Sequence, residues 1–167
     1  MDKNLLIRDA YPEELDQVSQ LLKDSYLQYA HSIPSSRWEY YLEDMTDVRS
    51  RLEVADLIVA EIDARLAGTV TLYLEGTSSH ESWPQGWAVI RLLAVHPSYR
   101  NKGIGRALMD ECIRRCREKG ITTIGLHTTE LMNVARRMYE KMGFVRVPEF
   151  DFHPVPEITV MAYRLDL

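Results

Sequence analysis

The seven residues from Arg100 to Arg106, Arg-Asn-Lys-Gly-Ile-Gly-Arg, combine three basic side chains with two glycines. Glycine has no Cβ, so the backbone N–H groups around Gly103 and Gly105 can approach a ligand closely. An apolar stretch typical of a buried strand precedes these residues and a helical pattern follows them. Because a helix N-terminus carries partial positive charge, the combination predicts a loop that binds an anion, most naturally a pyrophosphate.

Two other phosphate-binding patterns fit these residues poorly. A Walker loop requires Gly-Lys followed by Ser or Thr, whereas Gly105 is followed by Arg106 and alanine. A dinucleotide fingerprint requires a small residue where the chain has Leu108, and an acidic residue at a strand end about 20 residues further on. Glu130 has that spacing, but no predicted strand ends there.

A second group of chemistry-bearing residues lies downstream, in Asn-Val-Ala-Arg-Arg-Met-Tyr-Glu-Lys-Met-Gly-Phe from Asn133 to Phe144. Apolar residues at i, i+4 spacing predict a short helix, and Gly143 is a typical C-terminal cap. Tyr139 lies in the middle of this helix and presents a phenol that can donate a hydrogen bond.

The order Arg-x-x-Gly-x-Gly, helix, strand and then Asn–Ala–Tyr–Gly-Phe resembles the GNAT superfamily of N-acetyltransferases. This resemblance implies an α/β fold with a mixed, mostly antiparallel central sheet flanked by helices on both faces. It also implies one domain over residues 1–167 and acetyl-CoA as the cofactor.

The resemblance assigns residues to the parts of coenzyme A. The basic glycine loop would hold the pyrophosphate, and the backbone of Leu93 and Val95 would pair with the pantetheine arm like an added strand. A backbone N–H near Val95 could also stabilise the thioester oxyanion. Packing of Leu93 and Val95 side chains in the core is compatible with this role. The expected cofactor-binding residues are Leu93, Ala94, Val95, Arg100, Asn101, Lys102, Gly103, Ile104, Gly105, Arg106, Asn133 and Arg136.

Tyr139 is the expected catalytic residue, placed by the resemblance beside the leaving sulfur. Tyrosine has a pKa near 10 and a thiol near 8.5, so full proton transfer is uphill by roughly 2 kcal/mol. Hydrogen bonding that becomes late proton transfer describes this role better; a tyrosine that only packs is the alternative. Many family members have a glutamate where this chain has Val89, so a direct carboxylate base is absent there. The candidates are Glu75, His127, Glu130, Glu149, Asp151 and His153, beside a water chain or a neutral acceptor.

The implied reaction moves an acetyl group to a primary amine of a small molecule or peptide, by direct attack in a ternary complex. A non-catalytic acyl-CoA-binding sensor or partner subunit is the alternative. Acidic residues beside aromatic ones suit a cationic amine. The alternative is that Trp38 and Tyr41 are core residues and that the acidic residues form a solvated surface. The expected acceptor pocket comprises Tyr26, Tyr29, Trp38, Tyr41 and the loops 75–87 and 148–156.

The composition of the chain limits the classes of partner that it is expected to bind. The chain has 167 residues and a formal net charge of −5, which argues against nucleic acid as a partner. There is no run of 18 apolar residues and the first residues do not resemble a signal peptide, so we expect no membrane partner and a cytoplasmic location. Cys112 and Cys116 fit small core residues, and no zinc-like spacing predicts a metal site. A homodimer is compatible with these features.

Alternation and turn residues predict the elements that position these groups. Helices are expected from Pro12, from a cap at Ser35-Ser36 through Val48, and from Ile104. In the hairpin turn Asp63-Ala64-Arg65, alanine disfavours a left-handed conformation, which leaves the turn type open. The predicted strands are Leu5–Arg8, Asp56–Ile62, Leu66–Leu74, the apolar stretch from Val89, Thr122–Thr128, Val145–Val147 and Ile158–Leu165.

Overall fold

The computed structural model describes residues 4–75 and 83–167, which cluster into two compact units. The first unit comprises Met1–Leu72 and Leu92–Cys112, and the second comprises Tyr73–Arg91 and Ile113–Leu167. The expectation of one domain over residues 1–167 stays a prediction.

Three antiparallel strands form the sheet of the first unit: β1 (Leu5–Asp9), β2 (Asp56–Ile62) and β3 (Arg65–Tyr73). Most residues of β2 and β3 are buried, as the β-branched and apolar composition of both strands favours. These strands agree with the predicted ones to within one residue at each end.

A two-residue turn joins β2 to β3, because Ile62 pairs directly with Arg65. Both turn residues have positive φ, 49° at Asp63 and 65° at Ala64. The turn is therefore of the type I′ kind, which matches the twist of the flanking strands. The sequence left the turn type open, and the structure places Ala64 in the left-handed region that its Cβ disfavours. The pairing of two buried strands outweighs a backbone cost of roughly 1–2 kcal/mol for a residue with a Cβ.

Helix α1 (Leu15–Tyr26) follows a 3₁₀ turn that begins at Pro12. The Glu14 carboxylate accepts a hydrogen bond from the Tyr11 N–H at 2.8 Å and forms an ion pair with Arg8 at 2.7 Å. These contacts fix the entry to the helix. The apolar stripe predicted for α1 is buried: Leu15, Val18, Leu21, Leu22 and Tyr26.

The second predicted helix is two helices, α2 (Ser35–Thr46) and α3 (Val48–Leu52). The serine pair expected to cap α2 lies inside its first turn, because Pro34 is the residue that precedes the helix. Asp47 leaves helical geometry at ψ 66° and starts the second helix. The spacing of apolar residues predicted one continuous helix and gave no sign of this break.

Two side chains donate hydrogen bonds to the last carbonyl groups of α2. The buried Arg51 guanidinium donates to the carbonyls of Asp44 at 2.7 Å and Met45 at 2.6 Å. The Ser19 hydroxyl donates to the Thr46 carbonyl at 2.7 Å. The last carbonyls of a helix have no intrahelical partner, so these bonds hold α2 and α3 as one corner.

The strands that follow are β4 (Ala88–Val95), β5 (Thr123–Thr129), β6 (Val145–Arg146), β7 (Phe152–Val155) and β8 (Ile158–Asp166). β4 and β5 pair in parallel, whereas β5, β6 and β7 all pair with β8 in antiparallel. Among the described residues the strand order is β1-β2-β3-β4-β5-β8-β6 with β7 also on β8. The fold class is therefore confirmed as α/β, with a mostly antiparallel eight-stranded sheet flanked by helices.

The two remaining helices that bear on the site are α4 (Ile104–Glu118) and α5 (Asn133–Lys141). Cys112 and Cys116 on α4 are buried and form no disulfide, as predicted. α4 lies close to β3 because Gly68 has no side chain. A Cβ placed on Gly68 would stand 3.1 Å from both the Ile104 and the Leu108 side chains. Gly68 thus allows the first turn of α4 to pack on the sheet of the first unit.

Candidate functional site

The loop after β4 folds as a series of tight turns that ends in a helix N-terminus. His96 Nδ1 accepts the Ser98 N–H at 3.1 Å, and a 3₁₀ turn over Pro97–Tyr99 follows. Asn101 and Gly103 both have left-handed backbones, with φ of 64° and 76°. Asparagine and glycine are the residues that tolerate this region.

Gly103 opens helix α4, since its carbonyl accepts the Ala107 N–H at 3.0 Å. The N–H groups in the first turn of a helix have no intrahelical partner. Here they belong to Ile104, Gly105 and Arg106. A Cβ built on Gly103 meets no atom within 4 Å, so the space beside these N–H groups is open. This geometry suits the close approach of an anionic group.

Basic side chains surround the same loop. Arg100, Lys102 and Arg106 are all exposed. Arg106 makes an exposed i,i+4 ion pair with Asp110 at 3.1 Å, which solvent screens and which contributes little to stability. Arg100 donates to the Ser25 carbonyl at 3.2 Å. The predicted phosphate-binding side chain of Arg100 thus also ties the loop to the end of α1.

Strand β4 carries a backbone irregularity next to its predicted cofactor residues. Leu92 has φ 56°, a left-handed conformation that is rare for leucine. The parallel register with β5 covers Ala88 to Ile90 and ends there. A non-glycine residue with positive φ at this point marks a bulge that re-aims the strand after it.

The backbone groups after Leu92 point alternately to the two edges of the strand. His96 N–H donates to the Ala67 carbonyl of β3 at 2.8 Å. By the alternation of a strand, Ala94 faces β3 in the same way, whereas Leu93 and Val95 face the opposite edge. These are the two residues whose backbone was predicted to pair with a ligand. Ala94 is buried, and its carbonyl oxygen would stand 3.0 Å from a Cβ on Gly68.

An aromatic cluster of the first unit contains the side chains expected in the acceptor pocket. The ring of Tyr26 lies 6.0 Å from that of Tyr29 and 6.3 Å from that of Tyr41, between centroids. Trp38 lies 6.5 Å from Tyr41. Trp38 and Tyr41 are half-buried, so neither side chain lies entirely within the hydrophobic core. Burial raises the pKa of the Tyr29 phenol, and the nearby Arg100 charge opposes this rise.

In the second unit, α5 carries the remaining predicted residues. Tyr139 is buried and its ring packs against Phe144 at 5.8 Å. Asn133 is the first residue of α5 and is exposed. The Arg136 guanidinium contacts the Met161 sulfur at 3.9 Å, and its buried Nε has no hydrogen-bond partner among the described residues. Gly143 has φ 101°, which agrees with its predicted role as the cap of α5.

The structure places the loop residues and β4 residues in the first unit, and Tyr139, Asn133 and Arg136 in the second. Within the first unit, Leu93 to Arg106 form one continuous segment beside the end of α1. The joint action of Tyr139 with this segment stays a prediction.

Asp151 is unsuited to the role of base. Arg146 binds both of its carboxylate oxygens, at 2.7 and 2.6 Å, and the Ala162 N–H donates to it at 2.7 Å. The hydrogen bonds and charge of Arg146 lower the pKa of Asp151 below its ordinary value of 3.8. Asp151 thereby anchors the segment between β6 and β7 on β8.

His127 occupies an aromatic cluster that the sequence pattern did not predict. Its Nε2 lies 2.9 Å from the Phe150 carbonyl, which can only accept, so Nε2 carries the proton. The imidazole packs 4.5 Å from Trp83 and 5.0 Å from Phe152, between ring centroids. Trp83 in turn packs against Gly125, where a Cβ would stand 2.9 Å from the indole. These contacts give His127 a structural role in holding the loop that contains Phe150.

The other base candidates are less constrained. Glu75, Glu130, Glu149 and His153 are exposed. His153 Nδ1 lies 3.3 Å from the Thr159 hydroxyl. Residues 76–82 of the predicted acceptor loop lie outside the described residues.

Residues 4–75 and 83–167 contain neither a metal-ligand cluster nor a membrane-crossing helix. Groups of three or more metal-ligating side chains are absent from these ranges. A helix with the length and hydropathy needed to cross a membrane is also absent from them.

Solved structures share this fold across nearly the whole chain. The PaiA N-acetyltransferase of Thermoplasma acidophilum, solved in complex with coenzyme A, is 20% identical with a TM-score of 0.73, and the match covers 96% of this chain and 99% of that one. The ribosomal-protein-S18-alanine N-acetyltransferase of Escherichia coli is 17% identical with a TM-score of 0.70, covering 97% and 93% of the two chains. At these identities the similarity shows the fold.

Sequence comparison gives the family. Camello of Xenopus laevis, a probable N-acetyltransferase, is 28% identical over 132 residues, which are 75% of this chain and 58% of camello. The chain therefore spans just over half the length of the camello sequences that it matches. The model of the acetyltransferase (GNAT) family matches residues 15–144, from the start of α1 to the end of the Tyr139 segment. A match over this much of the chain shows that the protein belongs to the acetyltransferase (GNAT) family.

Proposed function

We propose that this protein transfers an acetyl group from acetyl-CoA to a primary amine. The observation that carries the proposal is the loop from Arg100 to Arg106, in which left-handed turns and a helix N-terminus direct unpaired N–H groups into open space. Family membership and the coenzyme A bound to the PaiA structure support the same ligand for this loop.

The loop fits the charged end of coenzyme A. The first-turn N–H groups of α4 suit the diphosphate, and Lys102 and Arg106 supply positive charge beside it. On β4, the edge at Leu93 and Val95 lies beyond the end of the register with β5 and is proposed to offer backbone donors and acceptors to the amides of the pantetheine arm. Arg136 and Asn133 on α5 are the other side chains proposed to bind the cofactor.

Acetyl-CoA, when bound, supplies an acetyl group activated as a thioester. The backbone N–H near Val95 is proposed to hold the thioester oxygen, which gains negative charge as the amine attacks. Tyr139 is proposed to donate a hydrogen bond to the sulfur as the carbon–sulfur bond breaks. The proton of the acceptor amine is proposed to leave to water or to one of the exposed candidates Glu75, Glu130, Glu149 and His153, because Asp151 is held by Arg146 and Val89 supplies no carboxylate. Attack is direct, within a ternary complex.

A cationic small molecule or the amino group of a peptide is the proposed acceptor class. The aromatic cluster of Tyr26, Tyr29, Trp38 and Tyr41 supports this proposal, because aromatic faces attract cations. Glu39 and Glu43 on α2 are exposed and add negative charge on the same helix as Trp38.

The test is thiol release from acetyl-CoA, measured with a panel of polyamines, amino acids and peptides. We expect turnover that depends on an amine and saturates with it, together with an acetylated product of the correct mass. Binding of acetyl-CoA without turnover on any amine would favour the non-catalytic sensor. Failure to bind acetyl-CoA would remove the proposed function altogether.

A further inference from the structure

Tyr26 belongs to the acceptor-side aromatic cluster and also touches the predicted cofactor strand. Its phenol donates a hydrogen bond of 2.7 Å to the Leu93 carbonyl. The side chain is 8% exposed, and its ring packs near Tyr29 and Tyr41 at 6.0 and 6.3 Å. A buried, well-packed ring restrains the hydroxyl, so this bond fixes the position of the carbonyl.

Three more polar contacts join the end of α1 to the same segment. Arg100 donates to the Ser25 carbonyl at 3.2 Å and to the Gln28 amide oxygen at 3.0 Å. The His96 imidazole lies 3.7 Å from the Asp24 carboxylate. Each exposed contact is weak alone, but together they restrain one short stretch of backbone.

The restraint matters because of where Leu93 lies. Leu92 leaves the regular strand conformation at φ 56°, and the parallel register with β5 ends at Ile90. The register with β5 therefore does not orient the backbone after Leu92, whereas β3 holds it from the other side through the bond of His96 to Ala67. The Leu93 carbonyl and the Ala94 N–H belong to one planar peptide, so a bond to the carbonyl orients the whole unit.

We propose that Tyr26 is a positioning residue that holds the Leu93 peptide in the orientation that pairs with the pantetheine arm of coenzyme A. This inference rests on the proposed function, which places that arm along Leu93 and Val95. The carbonyl has two lone pairs and can accept from Tyr26 and from a ligand amide together.

The test compares Tyr26→Phe with Tyr40→Phe by calorimetric titration with coenzyme A and with ADP. Tyr26→Phe keeps the ring and removes only the hydrogen-bond donor. Tyr40 is 57% exposed, so Tyr40→Phe is a control for loss of a tyrosine hydroxyl. ADP has a diphosphate but no pantetheine arm. We expect the Kd for coenzyme A to rise roughly three- to tenfold in Tyr26→Phe, the effect of one hydrogen bond, with the Kd for ADP unchanged.

The outcomes separate the two proposals. Unchanged affinity for coenzyme A in Tyr26→Phe would overturn the positioning role and leave the proposed function standing. Equal loss for coenzyme A and ADP would also overturn it, because that result indicates a general loosening of the unit. A wild-type protein that binds neither compound would remove the proposed function and this inference together. A higher KM for acetyl-CoA with kcat changed less than about twofold would support the positioning role.

Discussion

Tyr139 is a buried residue with an expected catalytic role. The Tyr139 ring is packed against Phe144, and Tyr139→Phe keeps this ring while removing only the phenolic oxygen. Tyr139→Phe should therefore keep the affinity for acetyl-CoA and lower kcat by about 10²–10⁴-fold, the range for a group that assists proton transfer. Steady-state kinetics and calorimetric titration of the same preparation check this prediction. Near-normal turnover would assign Tyr139 to packing alone.

Thr128 is 3% exposed, and its hydroxyl has no hydrogen-bond partner among the described residues. A buried hydroxyl without a partner lowers stability, so Thr128→Val should raise the free energy of unfolding by about 1 kcal/mol. Thr69 is the matched control, since its buried hydroxyl donates to the Ile58 carbonyl at 2.8 Å. Thr69→Val should lower the free energy of unfolding by about 1 kcal/mol. Urea unfolding measures both, and a loss of stability in Thr128→Val would contradict the assignment.

Residue types predicted the turns and the helix N-terminus of the Arg100–Arg106 loop well, because these features are local. Glycines and basic residues at a strand-to-helix junction specify a turn and a helix N-terminus within seven positions. The contact of Tyr26 with Leu93 joins residues 67 positions apart in the chain, so no local pattern carries it. The bidentate pairing of Arg146 with Asp151 is local, but sequence spacing alone does not reveal that Asp151 is already bound.

At the scale of elements, long and strongly patterned segments were predicted most accurately. The β2–β3 hairpin, α4 and α5 follow directly from alternation, glycine caps and helical spacing. The short strand β7 lies where a loop was expected, because its pairing with β8 depends on a distant partner. The break at Asp47 between α2 and α3 depends on Arg51 and Ser19 reaching the end of α2.

The β2–β3 turn gives a prediction for an element. Ala64 has φ 65°, and glycine adopts this conformation without the cost that a Cβ imposes. Ala64→Gly creates Asp-Gly, the pair preferred in type I′ turns. We expect the free energy of unfolding to rise by about 1 kcal/mol without a change in acetyl-CoA affinity. Urea unfolding and titration would show this, and a lower free energy of unfolding would contradict the assigned turn type.

At the scale of the whole molecule, two ion pairs set the response to acid: the part-buried Arg8–Glu14 pair and the partly exposed Arg146–Asp151 pair. Arg8 lowers the pKa of Glu14 below 4.5, and Arg146 lowers the pKa of Asp151 below 3.8. The unfolded chain therefore binds more protons than the folded chain in the range around and below these values. Stability should be constant from neutral pH down to about 5 and then fall as the pH drops through the folded pKa values.

Asp151→Asn tests this response because it removes one of the two groups. The variant should be less stable at pH 7 and should lose less stability between pH 5 and pH 3 than the wild type. Asp166→Asn is the control, since the Asp166–Arg164 pair is exposed and contributes little. Urea unfolding at several pH values measures the slope. A wild-type slope in Asp151→Asn would contradict the role of this ion pair.

The N–H groups around Gly103 and Gly105 are proposed to bind the diphosphate of coenzyme A. Titration of isotopically labelled protein with coenzyme A, followed by amide resonances, tests this binding most directly. We expect saturable shifts that are largest for Asn101 to Arg106, and a Kd at least tenfold weaker in Gly103→Ala, whose Cβ enters the open space beside these groups. Saturable binding that leaves these amides unchanged would contradict the account, and so would the absence of binding.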